Sequence, residues 1–273
     1  MAGEKKSIFI TGAASGLGRE VARYFADRGW FIGIADVNQA GMKETAAMLP
    51  EGASSIHKLD VTDRKQWTKA VAEFGKASGG RMDVFFNNAG IGSGGPIEEM
   101  EDQDIDLMIA INLTGVISGT RACFDMLKAT PGSCVLYTAS AAGIYGVSDL
   151  SVYSATKFAV RGLAESHDIE FKKHGIRSRC LMPGFIDTNI ISGVAEGSNK
   201  SGKELLEDSG VMVSPVSIIG PAAWEAVHGK KLHTPVNKMA KQLAFAARWM
   251  PGKLRKQETA LVGDLGDILK PEG

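Results

Sequence analysis

The sequence predicts an α/β chain built on a doubly wound, mainly parallel sheet of about seven strands with helices on both faces. Two observations point there. Short, near-continuous apolar runs alternate with longer helical stretches, and the 273-residue chain is 44% hydrophobic and 23% charged, an ordinary globular balance. Strands that are apolar throughout must be covered on both faces, which implies a parallel sheet between helical layers. Right-handed crossovers then favour the doubly wound arrangement.

The elements follow in order. Ser7 to Thr11 is a short β-rich run, followed by a glycine-rich turn and a helix from about Gly16 to Asp27. Trp30 to Ala35 is again strand-like, and Asn38 caps a helix reaching Leu49. Ser54–Asp60, Asp83–Phe86 and Ser133–Thr138 repeat the strand signal, with helices expected over Asp63–Ser78 and Asp104–Lys128. A helix over Ser151–Lys173 and a strand over Ile176–Met182 come next, stopped by Pro183-Gly184. Phe185 to Pro215 is polar and glycine-bearing, with one short helical candidate at Gly202–Asp208, and reads as a lid or binding loop. Pro221–Gly229 is helical, Lys231–Val236 is a last strand that Pro235 assigns to an edge, and Asn237–Met250 is a final helix. No repeat or linker divides the chain, so one domain is expected over residues 1–273.

Lys+Arg and Asp+Glu are each 31, which leaves no basic excess to attract nucleic acid. Cys123, Cys134 and Cys180 lack metal-ligand spacing and read as buried thiols of a reducing compartment. The five histidines are scattered, without H-E-x-x-H or a cysteine partner, so no metal is implicated. No apolar run reads as long enough to span a bilayer, and the stretch after Lys5-Lys6 is too short for a signal peptide. The expected location is the cytoplasm.

The run Thr11-Gly12-Ala13-Ala14-Ser15-Gly16-Leu17-Gly18 lies between the first strand and the first helix. Glycines let the backbone bend sharply and approach a pyrophosphate, while the helix start offers N–H groups and partial positive charge to the anion. Eighteen residues beyond Gly18, Asp36 closes the second strand, where a carboxylate accepts hydrogen bonds from an adenosine ribose and repels a 2′-phosphate. No basic residue follows Asp36 directly, so NAD is favoured over NADP; Arg19 is the feature that points the other way.

The glycine spacing is G-x-x-x-G-x-G, Asn87-Asn88-Ala89-Gly90 follows the fourth strand, and Tyr153-Ser154-Ala155-Thr156-Lys157 lies in a helix. Ser140 stands thirteen residues before Tyr153, Asn112 lies in the preceding helix, and Pro183-Gly184 with Thr188 follows the sixth strand. This ordered set, from Thr11 to Thr188, resembles the short-chain dehydrogenase/reductase family, which implies a Rossmann-type domain. Tyr153 and Lys157 are four apart and share a helical face. A phenol of ordinary pKa about 10 is a poor base near neutrality, but a cation at about 4 Å and an effective dielectric of about 20 contributes roughly 4 kcal/mol. Tyr153 is therefore cast as general acid/base, Lys157 as the group that lowers its pKa, and Ser140 as the donor that orients the substrate oxygen. The resemblance adds that Lys157 grips the nicotinamide ribose and that Asn112 holds a proton-relaying water. It also places Gly12, Ser15, Gly16, Leu17, Gly18 and Asp36 on the cofactor, with Asp60 and Val61 beside the adenine. Asn87, Asn88, Ala89 and Gly90 line it further, as do Tyr153, Pro183 and Gly184, and Ile186 and Thr188 meet the nicotinamide amide. A single residue of this set reads more simply as a cap or a helix face; the ordered set reads as a site. The activity implied is alcohol–ketone interconversion with NAD. The alternative is a catalytically silent dinucleotide-binding regulator or a membrane-associated partner-binding protein.

Two departures stand out. Many members of that family end in a V-D-G-G-like strand and a short tail, whereas here Lys231–Val236 is followed by a further 37 residues. The expected homodimer or homotetramer is thereby narrowed towards a dimer built on the long helices. The tail sets Lys238, Lys241, Arg248, Lys253, Arg255 and Lys256 among Met239, Leu243, Phe245, Trp249 and Met250. Such a helix more commonly packs its apolar face on its own domain than lies on a membrane. In the lid, Ile190, Ile191, Val194, Leu205, Leu206, Val211 and Met212 combine with Ile144, Tyr145 and Val147 into an expected apolar pocket for a bulky hydrophobic secondary alcohol or ketone (steroid, retinoid, aromatic or long-chain).

Overall fold

In a computed structural model, which describes residues 5–188, 203–204, 208 and 213–254, the apolar runs assemble into one sheet. Its strands are β1 (Ser7–Thr11), β2 (Phe31–Asp36), β3 (Ser54–Lys58), β4 (Val84–Asn87), β5 (Cys134–Thr138), β6 (Arg177–Met182) and β7 (His233–Pro235). They lie in the order β3-β2-β1-β4-β5-β6-β7, every pair parallel, with Pro235 on an edge strand as expected.

Alternation along each strand divides the core between two layers. Ile8, Ile10, Val84, Phe86 and Leu136 face helices α1 (Gly16–Ala26) and α7 (Ile219–His228) with Phe25, Trp30 and Val227. Phe9, Phe85, Val135 and Tyr137 face α3 (Arg64–Ala77), α5 (Val116–Ala129) and α6 (Ser151–Glu170), meeting Trp67, Phe74, Leu127 and Val160. The layers also include α2 (Gln39–Ala47), capped by Asn38 as expected, α4 (Asp102–Ile109) and α8 (Lys238–Trp249), capped by Asn237. The three thiols are buried, and burial pushes Cys134 up to about 11 and Cys180 up to about 12.

Two expectations are corrected. The helix foreseen over Asp104–Lys128 is broken by a π turn at Ala110–Gly115, between α4 and α5, which contains Asn112. Single π turns concentrate where a helix must aim a functional group. The unit Asp102–Ala129, at 28 residues and a mean hydropathy of 1.4 in its most apolar stretch, is long and apolar enough to cross a membrane. Here its apolar side covers the sheet, with Val116, Cys123 and Leu127 in the core. Most of the lid (Ile190, Ile191, Val194, Leu205, Leu206, Val211 and Met212), part of the Gly202–Asp208 helical candidate, and Arg255 and Lys256 lie outside the described residues.

Candidate active site

The chain leaves β1 for β2 on one side and reaches β4 on the other, so a crevice opens at the C-terminal ends of these strands. The glycine loop occupies it. Gly12 has a φ of +67°, and a Cβ on Gly18 would sit 2.2 Å from the Gly12 carbonyl oxygen, so the loop folds this tightly only with glycine there. Ser15 is the extended N-cap of α1, and no side chain caps the first turn of that helix. The amides of Gly16, Leu17 and Gly18 therefore head a helix whose positive end faces the crevice.

Asp36 fastens this loop. One carboxylate oxygen accepts from the Ala14 N–H at 3.0 Å and the other from the Asn38 N–H at 3.0 Å. Arg19 reaches the other way. Its guanidinium donates to the carbonyls of Ala14 and Gly41, to Thr45 Oγ1 at 3.0 Å and to Glu44 at 2.8 Å, tying α1 to α2. Asp60 accepts from the Thr62 N–H and hydroxyl at 2.9 and 2.7 Å, and the Val61 carbonyl accepts from the Trp67 indole at 2.9 Å.

The segment after β4 braces neighbouring strands. Thr11 Oγ1 accepts from the Asn88 and Ala89 N–H groups at 3.0 Å each; the Asn88 side chain donates to the Thr11 carbonyl at 2.9 Å and accepts from Thr138 Oγ1 at 3.0 Å. Asn87 is buried with its amide turned into the helical layer, donating to the Val116 carbonyl at 2.8 Å. Its side chain serves the sheet–helix packing.

Four predicted groups converge at the far wall. Asn112 is fully buried; its Oδ1 accepts from the Ile91 N–H at 2.9 Å and its Nδ2 donates to the Ile91 carbonyl at 2.8 Å. A Cβ on Gly90 would meet Asn112 Oδ1 at 3.1 Å and Lys157 Nζ at 3.3 Å, which locates both beside the loop. Lys157 Nζ donates to the Thr138 carbonyl at 3.2 Å and lies 5.5 Å from the Tyr153 ring centroid. Ser140 caps the short turn Ala141–Gly143, accepting from the Ala142 N–H at 3.1 Å, and hydrogen-bonds the Tyr153 phenol.

Burial dominates the electrostatics of both titratable groups. Burial raises the Tyr153 phenol above its ordinary 10.0, and the Ser140 hydrogen bond offsets part of that rise. Burial also brings Lys157 down to about 8. The Ser140 hydrogen bond favours the phenolate, and Lys157, directed at the Thr138 carbonyl, stands 5.5 Å from the centroid of the Tyr153 ring.

Beyond β6, the Pro183 carbonyl accepts from the Ala141 N–H at 2.7 Å, and Gly184 packs against Asn237 and Met239. Thr188 stands over Gly16: a Cβ there would lie 3.5 Å from its methyl carbon. Ile186 and Ile144 are both buried. The Ile186 side chain packs in the core cluster on the α1 and α7 side of the sheet, and Ile144 in the cluster on the other side. Thr138 was missed by the sequence reading and Thr11, the first residue of the glycine run, was given no role of its own; their oxygens fix Asn88 and Lys157.

A glycine loop at the switch point of a parallel sheet, facing a Ser–Tyr–Lys cluster, defines a Rossmann-type oxidoreductase domain. A family model described as short chain dehydrogenase matches residues 6–199, and the chain belongs to this family. It is 31% identical over 220 residues to the levodione reductase of Leifsonia aquatica, covering 79% of this chain and 82% of that one. It is 35% identical over 191 residues to the 3-alpha-(or 20-beta)-hydroxysteroid dehydrogenase of Mycobacterium tuberculosis, covering 70% and 73%. A crystal structure of levodione reductase superposes with a TM-score of 0.79 at 27% identity, over 88% of this chain and 98% of that one.

Proposed function

We propose that the protein is an NAD-dependent oxidoreductase that interconverts a bulky hydrophobic secondary alcohol and the corresponding ketone. The observation that carries this reading is the convergence of Ser140, Tyr153 and Lys157 beside the Gly12–Gly18 loop and Asp36. The site fits a nicotinamide dinucleotide: the loop is too tight for a Cβ at Gly18, and the first turn of α1 has no side-chain cap competing for an anion. Its holders are the loop, Asp36, Asp60, Val61, the Asn88–Gly90 backbone, Lys157 and the Pro183–Thr188 segment. When bound, the cofactor supplies or accepts the hydride at nicotinamide C4.

The chain's own groups handle the proton. Tyr153 gives its hydroxyl proton to the carbonyl oxygen in reduction and takes the alcohol proton in oxidation. Ser140 donates to the same oxygen and holds it against the phenol. Lys157 holds the nicotinamide ribose and, as a buried cation, favours phenolate as charge develops. Asn112 clamps the backbone of Ile91 to the π turn and so sets the wall behind Lys157 and the proposed proton-relaying water.

Asp36 supports NAD, since its carboxylate opposes a 2′-phosphate, and Arg19 does not counter it because four acceptors already hold its guanidinium. The names of the relatives, a levodione reductase and a hydroxysteroid dehydrogenase, support a ring ketone or secondary alcohol. Self-association as a homodimer or homotetramer is supported by Leu107, Ile109, Ile117 and Phe158, which stay exposed on α4, α5 and α6. The deciding experiment is Tyr153→Phe: turnover of a hydrophobic ketone panel with NADH should vanish while NADH still binds, and retained turnover would refute the assignment.

A further inference from the structure

We infer that the outward face of α8 is a docking surface for an anionic lipid bilayer. At 3.6 residues per turn α8 divides cleanly. Ala240 is buried, and Leu243, Ala244 and Ala247 pack on the α6 side of the core, so the inner stripe is satisfied by the chain itself. On an opposite arc of about 120° lie Lys238, Lys241, Gln242, Phe245, Arg248 and Trp249, all exposed. Phe245 and Trp249 are the two rings, 59% and 65% exposed.

The charge around these rings is one-sided. Lys238–Leu254 contains four cations (Lys238, Lys241, Arg248 and Lys253) and no acid, in a chain whose formal net charge is zero. A helix that only closed a core would need its inner stripe, and solvent would be met best by mixed charges. Two large rings flanked by cations of a single sign fit an interface where aromatic side chains sit at headgroup depth and lysine and arginine meet lipid phosphates. The inference is independent of the enzymatic reading, although a membrane-seated dehydrogenase would meet hydrophobic substrates where they dissolve.

The test is co-sedimentation of the full chain with vesicles of phosphatidylcholine alone and of phosphatidylcholine with phosphatidylserine. Wild type should bind only the anionic vesicles, and about 1 M salt, where the Debye length is about 3 Å, should release it. Each cation near such a surface contributes about fivefold, so neutralising Lys238, Lys241 and Arg248 together (to Gln) should weaken binding about a hundredfold. The pair Phe245→Ser and Trp249→Ser should weaken it roughly tenfold or more through lost apolar contact. The Trp249 emission should shift to the blue on binding, read as the difference from Trp249→Phe. Circular dichroism and thermal unfolding report that the variants fold, which their solvent-side positions lead one to expect. Binding that is equal on neutral vesicles, or undiminished in both sets of variants, overturns the inference. So does a dimer that dissociates on replacing Phe245 and Trp249 without lipid, because a second copy would then be the occupant.

Discussion

Lys157→Met should make the protein more stable and nearly inactive. Lys157 is 5% exposed, and burial brings it from its ordinary 10.5 down to about 8. The unfolded chain therefore binds more protons between these two values, and stability rises with pH across that window. Below pH about 8 the full penalty of burying the cation applies, on the order of 3 kcal/mol at about 1.4 kcal/mol per pKa unit. Methionine keeps the stem and removes the charge, but it also gives up the 3.2 Å hydrogen bond to the Thr138 carbonyl, a loss of about 1.5–3 kcal/mol for a charged donor. The net gain at pH 7 is then about 0–2 kcal/mol. The sharper quantity is the difference between variant and wild type: it should move in favour of wild type by about 2–3 kcal/mol between pH 7 and pH 10, as the lysine neutralises. Urea unfolding of both proteins at several pH values measures it, because groups common to both cancel. A gap that does not change with pH, or a variant destabilised by several kcal/mol at pH 7, would show that the lysine is not held at a penalty. Turnover should fall at least about a hundredfold in the same variant, the usual size of a lost acid–base partner.

Other substitutions separate the remaining roles. Ser140→Ala removes the hydrogen bond that favours the Tyr153 phenolate, so the pH profile of alcohol oxidation should move to higher pH and kcat should drop by about a hundredfold. Gly18→Ala places a Cβ 2.2 Å from the Gly12 carbonyl oxygen and should destabilise by about 1–3 kcal/mol while abolishing NADH binding, read by calorimetry. Arg19→Ala should lower stability by about 1–2 kcal/mol without improving use of NADPH over NADH; a marked change in that preference would show that Arg19 reads the 2′ position.

The doubly wound sheet was legible because its signals are local. Ile8, Phe9 and Ile10 form a continuous apolar run since alternate residues face different helical layers, and Pro235 cannot donate within a central ladder. The glycines were legible for a related reason: Gly12 and Gly18 answer to backbone geometry within a few residues of themselves. The order of Asn112, Ser140, Tyr153 and Lys157 likewise carried the site, because each lies in a predicted helix or just after a predicted strand.

What local pattern did not convey was direction. Asn87 and Asn88 are neighbours in the chain, yet one amide enters the helical layer and the other bridges β1 and β5, because successive strand residues point to opposite faces. Ile144 and Ile186 carry no local mark of which side of the sheet they join, and they pack in opposite core clusters. The π turn at Asn112 has no signature in hydrophobic period, since Met108 and Val116 keep an apolar spacing on either side of it. The sequence alone established which chemical groups the protein possesses and the strand-and-helix frame that carries them. Only the packed chain decided that Lys157 is aimed at the Thr138 carbonyl, that Arg19 is tied to α2, and that two rings of α8 remain in solvent. Orientation and desolvation depend on what lies across a contact, and those neighbours are distant in the chain.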